Sequence, residues 1–139
     1  HPVSIALRMG KGGSLDNETD GGIVCYVHPD GRLNRYAVDK YGGKFEQHPD
    51  TGVVFAEVEP VPDVDRMKSL ALRVADQVFL ARLIGLDLFL DADNRWRVLE
   101  LTLAAQTIRF SQYAGVPFFG DFTDEVIEYC RRHRHGNPG

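Results

Sequence analysis

Two carboxylates stand where an apolar strand should exclude them. Asp87 interrupts Ile84-Gly85-Leu86-Asp87-Leu88-Phe89-Leu90, and Glu100 follows Arg97-Val98-Leu99. An ionised carboxylate on a largely buried strand is costly unless it is paired or bound to a cation, because desolvation disfavours the charged form. A divalent cation would satisfy both groups. Oxygen ligands of this kind suit Mg2+, which usually binds through one or two carboxylates together with substrate phosphates. Salt bridges are an equal alternative on spacing alone, Asp87 with Arg82 or Glu100 with Arg109. His48, in His48-Pro49-Asp50-Thr51-Gly52, has a neutral imidazole available near pH 7 and could contact an acceptor substrate or act as a base. An exposed loop histidine with no role is the commoner case.

The elements that must position these groups follow from pattern. Asp91-Ala92-Asp93-Asn94 reads as a turn, so the flanking strands run antiparallel. Asp87 and Glu100 then sit near matching heights, and an even offset brings them onto one face. Upstream, Val3 to Arg8 alternates as a strand and Gly10-Lys11-Gly12-Gly13-Ser14 forms a loop. A strand that starts without a lead-in suggests a missing N-terminal portion. Gly21-Gly22 leads into Ile23 to Val27, then an Asp30-Gly31 turn, then Arg32 to Val38, a β-hairpin. Residues 41 to 52 are rich in breakers and are expected to be a long loop, and long loops in compact domains tend to be functional.

Asp63 is placed to cap a helix in which Met67, Leu70, Ala71, Val74 and Val78 share one face, and that face must pack on the sheet. Thr123, before Asp124 and Glu125, is placed to cap a last helix that runs to about Arg132. Hairpin-linked strands followed by helices in blocks indicate an α+β domain with a mainly antiparallel sheet.

Composition bounds the function. The 139 residues, 43% hydrophobic and 26% charged, fit one domain able to bury its own core without disulfides or a structural metal. The net charge is −4 and the basic residues are dispersed along the chain, which argues against nucleic-acid binding. The cluster from Arg131 to His135 reads as a solvated tail. Cys25 and Cys130 lie far apart, as packing residues in a reducing compartment do. No apolar run approaches a membrane span and no leader pattern is visible, so the expected location is cytoplasmic.

Taken together, these motifs resemble a family. Gly85-Leu86-Asp87-Leu88 followed by Val98-Leu99-Glu100-Leu101-Thr102 resembles the metal hairpin of the ATP-grasp superfamily, in which an Asp and then a Glu-x-Asn hold two Mg2+ ions on nucleotide phosphates. Arg8 to Ser14, Asp16-Asn17, Gly21-Gly22 and His48 to Gly52 are similar to its sugar-transfer-associated group. The resemblance spans residues 3 to about 130.

It implies the C-terminal α+β subdomain of an ATP-grasp ligase, with the sheet's helices on one face, ATP and Mg2+ as cofactors and a carboxylate as substrate. In that frame Asp87, Glu100 and Thr102 hold metal, and Arg8 serves catalysis by reaching the γ-phosphate or an acyl-phosphate. Arg8, Lys11, Asn17 and Leu99 contact nucleotide, Leu99 lying under the adenine. His48, Gly21 and Gly22 face the substrate, although glycines are more often plain turn residues.

The chain departs from the family at two points. Thr102 stands where the family has Asn, and a Thr hydroxyl would reach the second Mg2+ only through water. The N-terminal ATP-grasp subdomain, which supplies phosphate lysines and the adenine hinge, is not recognisable in the sequence. The expected function is thus the Mg-ATP-binding half of a carboxylate ligase in glycan or cell-surface metabolism. Its partner subdomain completes the enzyme, the half alone is inactive, and bare apolar surface promotes self-association. A catalytically inactive remnant serving as a binding or scaffolding module is the alternative, and an unrelated α+β domain with merely paired charges is a third reading.

Overall fold

A computed structural model of the chain describes residues 2, 4–12, 22–78, 81, 83–103 and 113–133. The fold is α+β, with antiparallel sheets and, among the described residues, two α-helices. The strands expected in one sheet divide into two. Strands β1 (Ala6–Met9), β2 (Ile23–Val27), β3 (Leu33–Val38) and β4 (Lys44–Phe45) form a four-stranded sheet in sequential order. Strands β5 (Gly85–Leu90) and β6 (Trp96–Thr102) form a separate hairpin. Helix α1 (Val64–Ala75) lies between the sheets in sequence and contacts β6, and helix α2 (Thr123–His133) packs against the single 3-10 turn Gly120–Phe122 that precedes it.

The main hydrophobic cluster lies on one face of the larger sheet, while Val24 and Val38, paired on the other face, are buried as well. Leu7 pairs with Cys25 and Met9 with Ile23, so all four point the same way, and Arg8, opposite Val24, points to the other face. Ile23, Cys25 and Ala37 are fully buried under Phe55, which arrives on the 3-10 turn Phe55–Glu57. Met9, Leu33 and Phe45 complete that cluster. The breaker-rich stretch 41–52 contains more order than its composition suggests. Asp39 accepts bonds from the Tyr41 and Gly43 backbone N–H groups, and the resulting turn delivers Lys44 and Phe45 to pair with Val38 and Ala37. Burial of the Phe45 ring holds this short strand in place.

An irregular register separates Cys25 from Val27 on the β2–β3 ladder. Beside it the Cys25 Sγ lies 3.5 Å from the Asn34 carbonyl oxygen and 3.7 Å from that of Tyr36. Burial pushes the Cys25 thiol up to about 11, a rise only partly opposed by the hydrogen bond at Asn34. Cys130 is exposed on α2. In a thiol-labelling assay at about pH 8, one cysteine therefore reacts promptly and Cys25, with roughly one thiolate in a thousand, reacts only after unfolding. Rapid modification of both in the native state would contradict this packing.

Several local expectations need correction. Residues 28–32 form a longer connection than a two-residue Asp-Gly turn: the His28 N–H donates to the Arg32 carbonyl, and Gly31 donates back to His28. Gly31 takes φ +91°, and a Cβ there would lie 3.3 Å from the Val61 carbonyl oxygen, so this position requires glycine. Asp63 does not cap α1 through its side chain; it adopts the left-handed conformation, and its carbonyl accepts from Met67. Val78 lies beyond the helix, because Gln77 and Val78 bond back three residues to Val74 and Ala75, and that tighter turn carries Val78 off the apolar stripe. The Thr123 hydroxyl donates to the Gly120 carbonyl, inside the 3-10 turn, instead of accepting from the first turn of α2.

Candidate functional site

The β5–β6 hairpin owes its shape to the turn that closes it. Asp91 accepts backbone bonds from Asp93 and Arg95 and a side-chain bond from the Arg97 guanidinium at 2.8 Å, while Asn94 takes φ +57°. The Arg97 guanidinium, and after it the Arg95 backbone N–H, hold the Asp91 carboxyl below its usual value of 3.8. A carboxyl depressed in the folded state contributes stability above its unfolded value and loses it as pH falls through the lower folded value. Thermal melts of the native sequence and Asp91→Asn should therefore differ at about pH 6 and converge as pH drops below about 3.8. A gap that widens in acid would exclude this role for the turn.

Across the hairpin, Asp87 pairs directly with Glu100, Gly85 with Thr102 and Phe89 with Arg97. Directly opposed residues on antiparallel strands share a face, so Asp87, Glu100 and Thr102 project together. The opposite face carries Leu86 with Leu101, Leu88 with Val98 and Leu90 with Trp96. An apolar face and a carboxylate face are thereby separated.

The separation depends on a bulge. Asp87 pairs with Glu100 but its neighbour Leu88 pairs with Val98, which leaves Leu99 unpaired. Val98 and Glu100 are two residues apart and in a regular strand would share a face; the extra residue sends Glu100 to the carboxylate side. The two carboxylates are directly opposed, so they share a face as an even offset requires, but it is the bulge that sets this register. The adjacent apolar pair Val98-Leu99, which breaks the alternation, was the available signal for the bulge. Leu99 is 70% exposed.

Arg8 closes the arrangement from the other sheet. Its Nη2 lies 3.4 Å from Asp87 Oδ2, with both side chains about two-fifths exposed (41% and 39%). At that exposure the pair contributes at most about 1 kcal/mol. What it fixes is geometry, since it ties β1 to β5 and puts a guanidinium beside the carboxylate face. Neither Arg82 nor Arg109, the partners considered from sequence, lies within the described residues.

The glycine loop after β1 is held from below. Asp50 accepts from the Gly12 N–H at 2.7 Å, and His48 Nε2 lies 2.8 Å from the Gly10 carbonyl oxygen. The His48 Nδ1 accepts from the Asp50 N–H at 3.2 Å, so the ring carries its proton on Nε2 and donates it to Gly10. Both ring nitrogens are thus engaged by backbone, which makes His48 a clamp on the loop behind Arg8. Lys11 places its Nζ 4.8 Å over the Phe45 ring. Gly22 is buried at the entry to β2; Asn17 and Gly21 lie outside the described residues.

The donor set can be tested against a magnesium nucleotide. No group of three or more His, Cys, Asp or Glu side chains able to hold a metal occurs among the described residues. A cage made by protein alone is therefore not what this face offers. Two facing carboxylates, a nearby hydroxyl and an adjacent guanidinium instead match Mg2+ that brings phosphate oxygens with it. No helix among the described residues is long and apolar enough to cross a membrane.

A family model described as sugar-transfer associated ATP-grasp matches residues 1–117, which takes in every strand of both sheets. No curated protein and no solved structure was found to match the chain. With most of its length under that model, the chain belongs to the sugar-transfer-associated ATP-grasp family, a group of ATP-binding, ligase-like proteins.

Proposed function

We propose that the chain is the Mg-ATP-binding carboxylate half of an ATP-dependent ligase that activates a carboxylate as an acyl-phosphate, in glycan or cell-surface metabolism. One observation carries this reading: Asp87 and Glu100 oppose each other on one face of a bulged hairpin, with the Arg8 guanidinium 3.4 Å from Asp87. Mg2+, when bound, supplies charge neutralisation at phosphoryl oxygens, and Asp87, Glu100 and Thr102 are the residues that would hold it. Arg8 leaves Asp87 for the transferred phosphoryl group, whose oxygens match its planar fork. The backbone of Gly10 to Gly12, held by His48 and Asp50, fixes the strand end from which Arg8 projects.

Lys11, Asn17 and Leu99 complete the nucleotide side, and Gly21, Gly22 and the His48 loop border the carboxylate substrate. A second α+β subdomain brings the phosphate lysines and the adenine hinge. Val98, Leu99, Leu101 and Leu103, all exposed, offer it apolar surface, and the same surface favours self-association when it is left bare. Thr102 supports a second reading, an inactive remnant that binds without turnover, because its hydroxyl is shorter than the Asn amide it replaces.

Calorimetric titration of ATP into the chain, with Mg2+ and then with the metal chelated, tests the binding claim. Saturable heat that depends on Mg2+ is expected. Absence of heat, or equal heat without the metal, would sink it. ATP hydrolysis or ligation by the protein joined to its second subdomain separates ligase from remnant.

A further inference from the structure

Four arginines that are dispersed along the sequence, Arg66, Arg73, Arg95 and Arg97, gather in space at the far end of the β5–β6 hairpin. Arg66, Ser69 and Arg73 are spaced i, i+3, i+7 and form one stripe along α1. That stripe borders a groove of about 290 Å³ whose opposite wall is Arg95, Trp96 and Arg97. Trp96 is held there by its indole N–H, which donates to the Pro62 carbonyl at 3.1 Å.

The charges in the groove do not cancel. Asp91 and Asp93 lie within ion-pair distance of Arg95, and Asp91 also bonds Arg97. Two carboxylates thus answer the two hairpin arginines. Arg66 and Arg73 have no ion pair or hydrogen bond among the described residues. The groove therefore keeps an excess of two positive charges in a chain whose net charge is −4. Two guanidinium forks 7 residues apart on one helix, with a hydroxyl between them, suit a compact dianion that accepts several hydrogen bonds. The indole edge beside them suits a small organic body attached to that anion.

We propose that this groove binds a phosphomonoester, with Arg66 and Arg73 on the phosphate oxygens, Ser69 donating a further bond and the esterified organic group against Trp96. The site lies at the turn end of the hairpin, on the α1 side. It uses none of the residues assigned above to Mg-ATP and does not rest on that reading.

Trp96 is the one tryptophan of the sequence, so fluorescence excited at the red edge of the indole band, where the tyrosines do not absorb, reports on the groove. The 139-residue chain is titrated in chelator with inorganic phosphate and with glucose 6-phosphate, against glucose and against sodium chloride at matched ionic strength. Chelation keeps the metal-dependent site silent. A saturable change in emission with both phosphates, half-complete at or below about 1 mM, is expected. Arg66→Gln with Arg73→Gln should weaken it at least about tenfold, with an unchanged far-ultraviolet dichroism spectrum because both side chains are exposed. A response absent with both phosphates, matched by chloride or glucose, or retained in the folded double variant would overturn the proposal.

Discussion

Glu100→Gln should lower the affinity of the chain for Mg-ATP at least about a hundredfold and remove its dependence on the metal, while leaving the melting temperature almost unchanged. The substitution keeps the shape of the side chain and removes only its charge. Glu100 is exposed on β6, so the fold asks little of it. The metal, in contrast, requires anionic oxygen, and with two carboxylates facing each other the loss of one leaves a single weak ligand. Asp87→Asn should act in the same direction and also release Arg8 from its ion pair. Isothermal titration of both variants beside the native sequence is the measurement. Binding in Glu100→Gln indistinguishable from the native isotherm would remove the hairpin from the nucleotide site, whatever the native affinity proves to be.

The largest effect on stability is expected at Ile23. Its side chain is fully buried between Met9, Cys25, Ala37 and Phe55, and truncation to alanine leaves a cavity that the sheet cannot close without moving strands. Ile23→Ala should cost about 3 kcal/mol, a large share of the roughly 5–15 kcal/mol that holds a domain together. Thermal unfolding should fall by about 10 °C. Leu99→Ala provides the contrast, since it removes as much apolar volume from a residue that is 70% exposed and should shift stability by less than about 0.5 kcal/mol. Equal losses at the two positions would mean that the core has been misplaced. The comparison also reaches the site, because Met9, paired with Ile23, is the next residue after Arg8.

Both predictions depend on features of unequal visibility in the sequence. The anomaly of Asp87 and Glu100 was legible, because a charge inside a run of leucines contradicts the pattern around it. So was the closing turn, where Asp91 and Asn94 act on their own backbone over a few residues. The bulge at Leu99 was only half visible: Val98-Leu99 breaks the alternation, but the residue left unpaired is decided by the register with β5. His48 was legible as a loop residue and its work was not, since Gly10, 38 residues earlier, engages one of its ring nitrogens.

The amino-acid order by itself determined what sterics and short-range hydrogen bonding can enforce. It set where strands alternate and where Asp91 and Asn94 close the second hairpin on their own backbone. Only the tertiary structure decided which distant residues meet: Arg8 with Asp87 across two sheets, His48 and Asp50 under the glycine loop, and Arg66 and Arg73 opposite Arg95 and Arg97. Local preferences act over a handful of bonds and are therefore written in consecutive residues. Long-range pairings arise when whole apolar faces are buried, and the polar groups that meet are those that burial of the core and the α1–β6 contact leave side by side.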